Sequence, residues 1–201
     1  MKSQLHMLTT KEKIIQVVID MIAQDGFQNI TNRKIAAKAG VNAAAINYHF
    51  GSKDVLINEA LKHVMDQLKN IFEYLKTGNE DEETQLSTFI NNYIDILFKY
   101  PDIIRHMASY AIHHKPLAEH EEYLVFIQTE GFELIKNTIG KKIPELDDSV
   151  LSLKTLNLIS GLNFPLLMGE HINHYMGVDL SNKEIRQMYK KLLLENVCRR
   201  G

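Results

Sequence analysis

Residues 26–53 read GFQNITNRKIAAKAGVNAAAINYHFGSK, and this stretch decides the fold. It holds no Asp or Glu, yet carries Arg33, Lys34, Lys38, Lys53 and His49. Thr31 precedes Ile35, Ala36 and Ala39, which keep the three-to-four spacing of one helix face. Gly40 stops that helix, because glycine takes the left-handed backbone that a tight turn needs. Asn42 is a second cap, before a helix running through Phe50. Ala36 is small where two helices must approach. Ile46, six residues beyond Gly40, returns a branched side chain to the first helix of the pair. The spacing predicts a helix-turn-helix whose second helix, Ala43 to His49, lies in a DNA major groove. Short helix pairs are common, and it is the acid-free, basic setting that points this one at nucleic acid.

Outward from that stretch the pattern stays helical. On the N-terminal side, Ile14, Val17, Val18, Met21 and Ile22 line one face of a first helix. Thr9 and Glu12 form a capping box at its start, and Gly26 ends it. On the C-terminal side, Ser52 caps a long fourth helix reaching Thr77. The acidic run 80–83 follows, then a fifth helix closed by Pro101, which also opens a sixth through His113. Pro116 opens a seventh, near Leu117 to Ile139. An eighth, from about Ser149, is apolar nearly all round, and Pro165 is expected to kink or split it. Ser181 is expected to cap the last helix, which carries Ile185, Met188, Tyr189, Leu192 and Leu193. No segment alternates as a strand does. The class is all-α: an N-terminal three-helix helix-turn-helix domain, residues 1–54, and a larger helical-bundle domain for ligand binding and dimerisation, residues 55–201.

Composition excludes several classes. With 45% hydrophobic and 24% charged residues, the chain can bury a real core and is not disordered. The lone Cys198 cannot close an intrachain disulfide or build a thiolate zinc cage, which fits a reducing, cytoplasmic setting. No apolar run approaching the ~18–20 residues of a membrane span is expected, nor a signal peptide, so no membrane partner. The formal net charge of −2 is an average: residues 1–60 carry +2 and the rest −4. No His has a Glu three residues before it, so the paired Glu-x-x-His of bundle di-metal enzymes is absent. Neither enzyme activity, metal nor cofactor is expected. The histidines at 106, 113, 114, 120, 171 and 174 read by default as surface or pocket-polar groups.

The run Gly26-Phe27, Ile30-Thr31, Ile35-Ala36, Ala39-Gly40-Val41 and Ile46-Asn47-Tyr48-His49-Phe50-Gly51-Ser52-Lys53 closely resembles the TetR/AcrR family of bacterial transcriptional regulators. The resemblance covers about the first 60 residues. It implies a protein that binds a double-stranded DNA operator as a two-fold homodimer and usually represses. A small molecule entering the second domain would then release it. Carried across by position, it puts Thr31 and Arg33 at the start of the second helix, against a phosphate or base edge. Ala43, Ala44 and Asn47 fall at base-facing positions, with Asn47 able to pair bidentate with adenine. Tyr48, His49 and Lys53 match phosphate anchors. Many relatives carry an aromatic where Asn47 stands. Plainer readings exist beside these: Arg33, Lys34 and Lys38 as a solvated face, Tyr48 and His49 as partly buried aromatics.

The second domain is less specific. A helix apolar on all sides must be covered on all sides, by its own core and by a partner. The resemblance implies dimerisation through the last two long helices, in parts of Ser149–Gly161 and Asn182–Val197; a monomer with a central buried helix is the alternative. Met65, Met107, Tyr110, Tyr123, Phe164 and Met168 are candidate linings for an effector pocket, though Met and aromatics are equally ordinary core. A regulator of the same fold without a small-molecule inducer, acting as an activator or constitutive binder, is the alternative function.

Overall fold

The computed structural model of the protein describes residues 8–112, 122–123 and 125–199. Among them the helices are α1 (Thr10–Asp25), α2 (Asn32–Ala39), α3 (Ala43–Phe50), α4 (Lys53–Thr77), α5 (Glu82–Lys99), α6 (Pro101–Ile112), α7 (Phe132–Lys142), α8 (Asp148–Met168), α9 (Glu170–Met176) and α10 (Lys183–Cys198). No strand occurs among the described residues. The all-α class and the two-part architecture are as the sequence predicts.

The described residues pack into two compact units. One holds 8–66 and 100–112; the other holds 67–99, 122–123 and 125–199. Packing thus groups residues 55–66 and α6 with the N-terminal helices, whereas the division drawn from sequence ends at residue 54.

In the first unit the local signals explain each boundary. Thr9 and Glu12 form the capping box: the Thr9 N–H donates to Glu12 Oε2 at 2.8 Å, and the Glu12 N–H donates to Thr9 Oγ1 at 3.3 Å. These bonds hold the Glu12 carboxyl below its usual range. Ile14, Val18, Ile19, Met21 and Ile22 of α1 are buried, with Ile35, Ala36 and Ala39 of α2 and Ile46 and Phe50 of α3. A one-turn 3-10 segment, Phe27–Asn29, links α1 to the strand-like Ile30 and had no sequence signal. Pro101 opens α6, which packs on α1, and His106 of α6 stacks on Phe27 with ring centroids 4.3 Å apart. Burial in that stack holds the His106 imidazole below the usual histidine value.

In the second unit α5 packs against α7, α8 and α10. Phe72 turns its ring edge-on to Phe89, Tyr93 and Phe126, at centroid distances of 5.0, 5.8 and 5.8 Å. Lys190, nearly buried on α10, pairs with Asp95 of α5 at 2.5 Å.

Four expectations are corrected here. First, Pro165 does not split the eighth helix; α8 runs unbroken to Met168 and stops at Gly169, whose φ is 49°. Proline has no N–H for the carbonyl four residues back, Gly161. The Tyr189 hydroxyl of α10 donates to that orphaned carbonyl at 2.6 Å, so the helix survives its proline. Second, the last helix is capped by Asn182, not Ser181: Asn182 Oδ1 accepts from the Glu184 and Ile185 N–H groups, while Ser181 donates to Asp179. Third, the helix ending near Ile139 is irregular. A π turn, Ile127–Gly131, precedes α7, and α7 continues to Lys142. Its expected start at Pro116–Leu117 and the end of the sixth helix at His113 lie outside the described residues. Fourth, α8 is long and apolar enough, by length and composition alone, to be a candidate membrane span, although no such run was expected. Lys154 interrupts it, and its Nζ reaches the carbonyls of Asn196, Val197 and Arg199 at the end of α10.

Candidate nucleic-acid interface

The elbow between α2 and α3 is built by backbone chemistry. Gly40 sits in the left-handed region, φ 66° and ψ 36°. That conformation lets the Val41 N–H reach the Ala36 carbonyl at 3.0 Å and the Gly40 N–H reach Ala37 at 3.4 Å, a Schellman closure. A side chain at residue 40 would be strained at this φ whatever the space. Thr31 Oγ1 accepts from the Lys34 N–H at 3.3 Å and fixes the start of α2. Asn42 Oδ1 accepts from Ala44 at 3.0 Å and fixes the start of α3. Ser52 Oγ accepts from Val55 at 3.2 Å and starts α4, one residue beyond Gly51 at φ 72°.

These caps leave α3 with two faces. Ile46 and Phe50 are buried, one turn apart. Ala43, Ala44, Asn47 and Tyr48 are exposed, Ala44 and Tyr48 on the side opposite that pair, and Tyr48 stands 86% clear. His49 is half-buried, its ring edge-on to Tyr48 at 5.2 Å. Thr31 and Arg33 are exposed at the start of α2, and Lys53 is exposed in the first turn of α4. The eight residues expected to meet DNA therefore have accessible surface, at three helix starts and along one face of α3. Three helix N-termini carry partial positive charge, and Arg33, Lys34 and Lys53 add full charges. Lys38 is engaged with Asp25 at 3.4 Å, and Lys11 with Glu59 at 3.2 Å.

The candidate effector-pocket residues fall in both units. Met65 is buried in the first unit and Tyr123 in the second. The side chains of Met107 and Tyr110 lie outside the described residues. Phe164 and Met168, candidate pocket walls, are 54% and 39% exposed on α8. The all-round apolarity of α8 hid which side faces inward. Its outward side carries Leu153, Leu156, Phe164 and Leu167, and α10 adds Met188 and Leu192. Among the histidines, His171 and His174 both meet the Tyr175 ring. His113, His114 and His120 lie outside the described residues, and among those described no group of three or more His, Cys, Asp or Glu side chains could hold a metal ion.

Comparison with known proteins agrees with this geometry. Residues 14–60 match the family described as bacterial regulatory proteins, tetR family. The chain is 28% identical over 86 residues to the HTH-type transcriptional regulator BetI of Stenotrophomonas maltophilia, a match spanning 42% of this chain and 44% of that protein. It is 21% identical over 180 residues to the HTH-type transcriptional repressor NicS of Pseudomonas putida, spanning 88% of this chain and 85% of that one. Its fold is that of a TetR transcription regulator from Haloarcula marismortui, with a TM-score of 0.68, 16% identity, and 94% and 96% of the two chains covered.

Proposed function

We propose that this chain, whose residues 14–60 match the tetR family of bacterial regulatory proteins, is a DNA-binding transcriptional repressor that binds a two-fold operator as a homodimer and is released by a small molecule. The observation that carries the DNA half is the set Thr31, Arg33, Ala43, Ala44, Asn47, Tyr48 and Lys53, all exposed, with the half-buried His49, inside an acid-free window. Residues 1–54 serve as the reader and 55–201 as the sensing and pairing part. The protein works in the cytoplasm, where its DNA is. The repressor NicS, matched over most of both chains, supports repression.

The apolar stripe on α8 and α10 supports the dimer. A monomer leaving Leu153, Leu156, Phe164, Leu167, Met188 and Leu192 open to water would be unusual. A second copy covers them, and a two-fold protein reads a two-fold site, one half per reader. The outward placement of Phe164 and Met168 favours a second reading, a regulator with no small-molecule inducer.

Footprinting on DNA flanking the protein's own gene tests the DNA reading. The expected result is a protected palindrome with half-sites one or more helical turns apart; no protection anywhere overturns it. Two variants assign roles. Lys53→Ala is expected to weaken binding to all sequences and to lower the slope of log K against log salt by about one unit, read by fluorescence anisotropy across a salt series. An unchanged slope removes Lys53 from the phosphate contacts. Asn47→Ala is expected to lose ~1–3 kcal/mol on the cognate site and little on random DNA. Equal losses on both would end its base-reading role.

A further inference from the structure

The seam between α5 and α10 holds an open groove of about 430 Å³. Phe98 of α5 lies under Arg186 of α10, with the guanidinium carbon 5.1 Å from the ring centroid, and Asp95 meets Lys190. The two helices therefore run antiparallel, and Asn91 falls level with Leu194. The groove lies at the surface: Glu184, Gln187, Met188 and Lys191 along it are exposed. Its apolar lining includes the buried Ile90 and the half-buried Leu194. Met188 alone is shared with the outward stripe of α8 and α10.

A lysine stands on the inward face of α10 at this groove. The buried positions of that helix are Lys190, Leu193 and Val197. Methionine at 190 would fill nearly the same volume without drawing a charge out of water. The Lys190 side chain is 8% exposed, and its Nζ bonds Asp95 Oδ1 at 2.5 Å. An ammonium group carries three N–H donors, and among the described residues Asp95 is the one acceptor that Lys190 meets. Donors remain for a further acceptor in the groove. Lys191 brings a second ammonium group. Its contact with Glu195 is 3.8 Å long, between exposed side chains, and holds it weakly. Two ammonium groups thus stand against one carboxylate held at bonding distance. The Asp95 side chain is itself mostly exposed, so a competing acceptor can share or take its place.

We propose that the α5–α10 groove binds a monocarboxylate with an apolar tail, its carboxylate on the Lys190 and Lys191 ammonium groups and its tail along Ile90 and Leu194. The head is anionic because it completes the donor set of a nearly buried ammonium group, where a charge-assisted bond is strong. The tail is apolar because Ile90, Leu194 and the lysine methylenes line its path. It points away from Glu184, which lies about 9 Å before Lys190 along the helix axis. It ends without charge because Ser87 and Asn91 stand at that end, with Asn91 Nδ2 donating to Ser87 Oγ at 3.5 Å. The groove is separate from the reader, and its ligand does not depend on the small-molecule release proposed above.

The test uses the full chain and three probes of one length, octanoate, octanol and the octylammonium ion, each below its micelle concentration. Affinity is read by calorimetry, and position by NMR shifts of the lysine ε-methylene groups. Octanoate is expected to bind and to shift Lys190 and Lys191 selectively. Octanol is expected to bind at least tenfold more weakly, and octylammonium not at all. Lys190→Met is expected to weaken octanoate at least tenfold. Asp95→Asn, which removes the competing acceptor, is expected to strengthen octanoate at least threefold, a gain that a purely structural ion pair would not produce. Circular dichroism checks that both variants fold. Should Lys190→Met fail to fold, Leu194→Glu takes its place, since a carboxylate on the tail's path is expected to abolish octanoate binding. Equal binding of the three probes, octanoate affinity unchanged in the Lys190 or Leu194 variant and in Asp95→Asn, or no octanoate binding to either the parent or Asp95→Asn overturns the proposal.

Discussion

Replacing Leu153 and Leu156 together by glutamate is expected to leave a folded monomer whose affinity for a two-fold operator has fallen at least a hundredfold. Both leucines lie on the outward side of α8, 63% and 62% exposed, three residues apart on one helix face. Neither holds the subunit's own core, so far-UV circular dichroism and the melting temperature should barely move. In the dimer the two-fold axis doubles their number to four, and burying each leucine contributes about 1.5–3 kcal/mol. Losing that total of about 6–12 kcal/mol removes most of the association energy of a micromolar-to-nanomolar dimer. Four carboxylates facing an apolar partner add a desolvation cost. The DNA effect follows from geometry. Once one reader is docked, the second binds at the high effective concentration set by the dimer, and a monomer loses that gain. Sedimentation velocity at micromolar concentration reads the first outcome and anisotropy on a palindromic site the second. A variant that remains dimeric would place the pairing face elsewhere.

Gly161→Val is expected to lower the melting temperature by about 5–10 °C, the loss being concentrated in the α8–α10 pair. A Cβ at residue 161 would stand 2.6 Å from Leu193 Cδ2 and 3.5 Å from the Tyr189 hydroxyl. Leu193 is buried, so the strain cannot be relieved by swinging into water. Overpacking of this kind costs ~1–3 kcal/mol. Pushing Tyr189 away also strips the Gly161 carbonyl of the donor that replaces the missing N–H of Pro165, which adds about 1–3 kcal/mol. The better helix propensity of valine offsets only a few tenths of a kcal/mol. Differential scanning calorimetry of Gly161→Val, Leu193→Ala and the double variant separates the parts. A double variant much less destabilised than the sum of the singles assigns the loss to the Leu193 clash. Additive losses would move its cause away from that contact.

Local signals carried most of what was legible. Thr31, Gly40 and Asn42 each act on backbone groups within five residues, so their roles in the helix-turn-helix could be read without knowing the rest of the chain. The same holds for the outward face of α3, because Ile46 and Phe50 leave Asn47 and Tyr48 on the other side. Distant partnerships could not be read. Nothing around Pro165 announces that Tyr189, 28 residues away in sequence from Gly161, repairs its helix. Lys154 in the middle of an apolar run looks like a solitary charge until its three carbonyls appear. The π turn leaves hydrophobic spacing almost unaltered, so periodicity passes over it. On α8 periodicity fails outright: when every face is apolar, the pattern has no phase. That is why periodicity could not say which way Phe164 and Met168 face; both are exposed. The short α9, bracketed by Gly169 and Gly177, was lost between two breakers.

The reach of Lys154 to the last carbonyls of α10 sets an order of events during synthesis. The residues that supply those carbonyls, 196, 197 and 199, are made almost 150 residues after α3. At about 5–20 residues per second the ribosome needs roughly 7–30 s to cover that distance. Over the last 42 residues of that interval, roughly 2–8 s, α1 to α3 are already made while the Lys154 ammonium group of α8 waits for acceptors not yet synthesised. A nascent chain stalled before residue 196 would therefore hold all three of these helices and an unfinished α8–α10 pair.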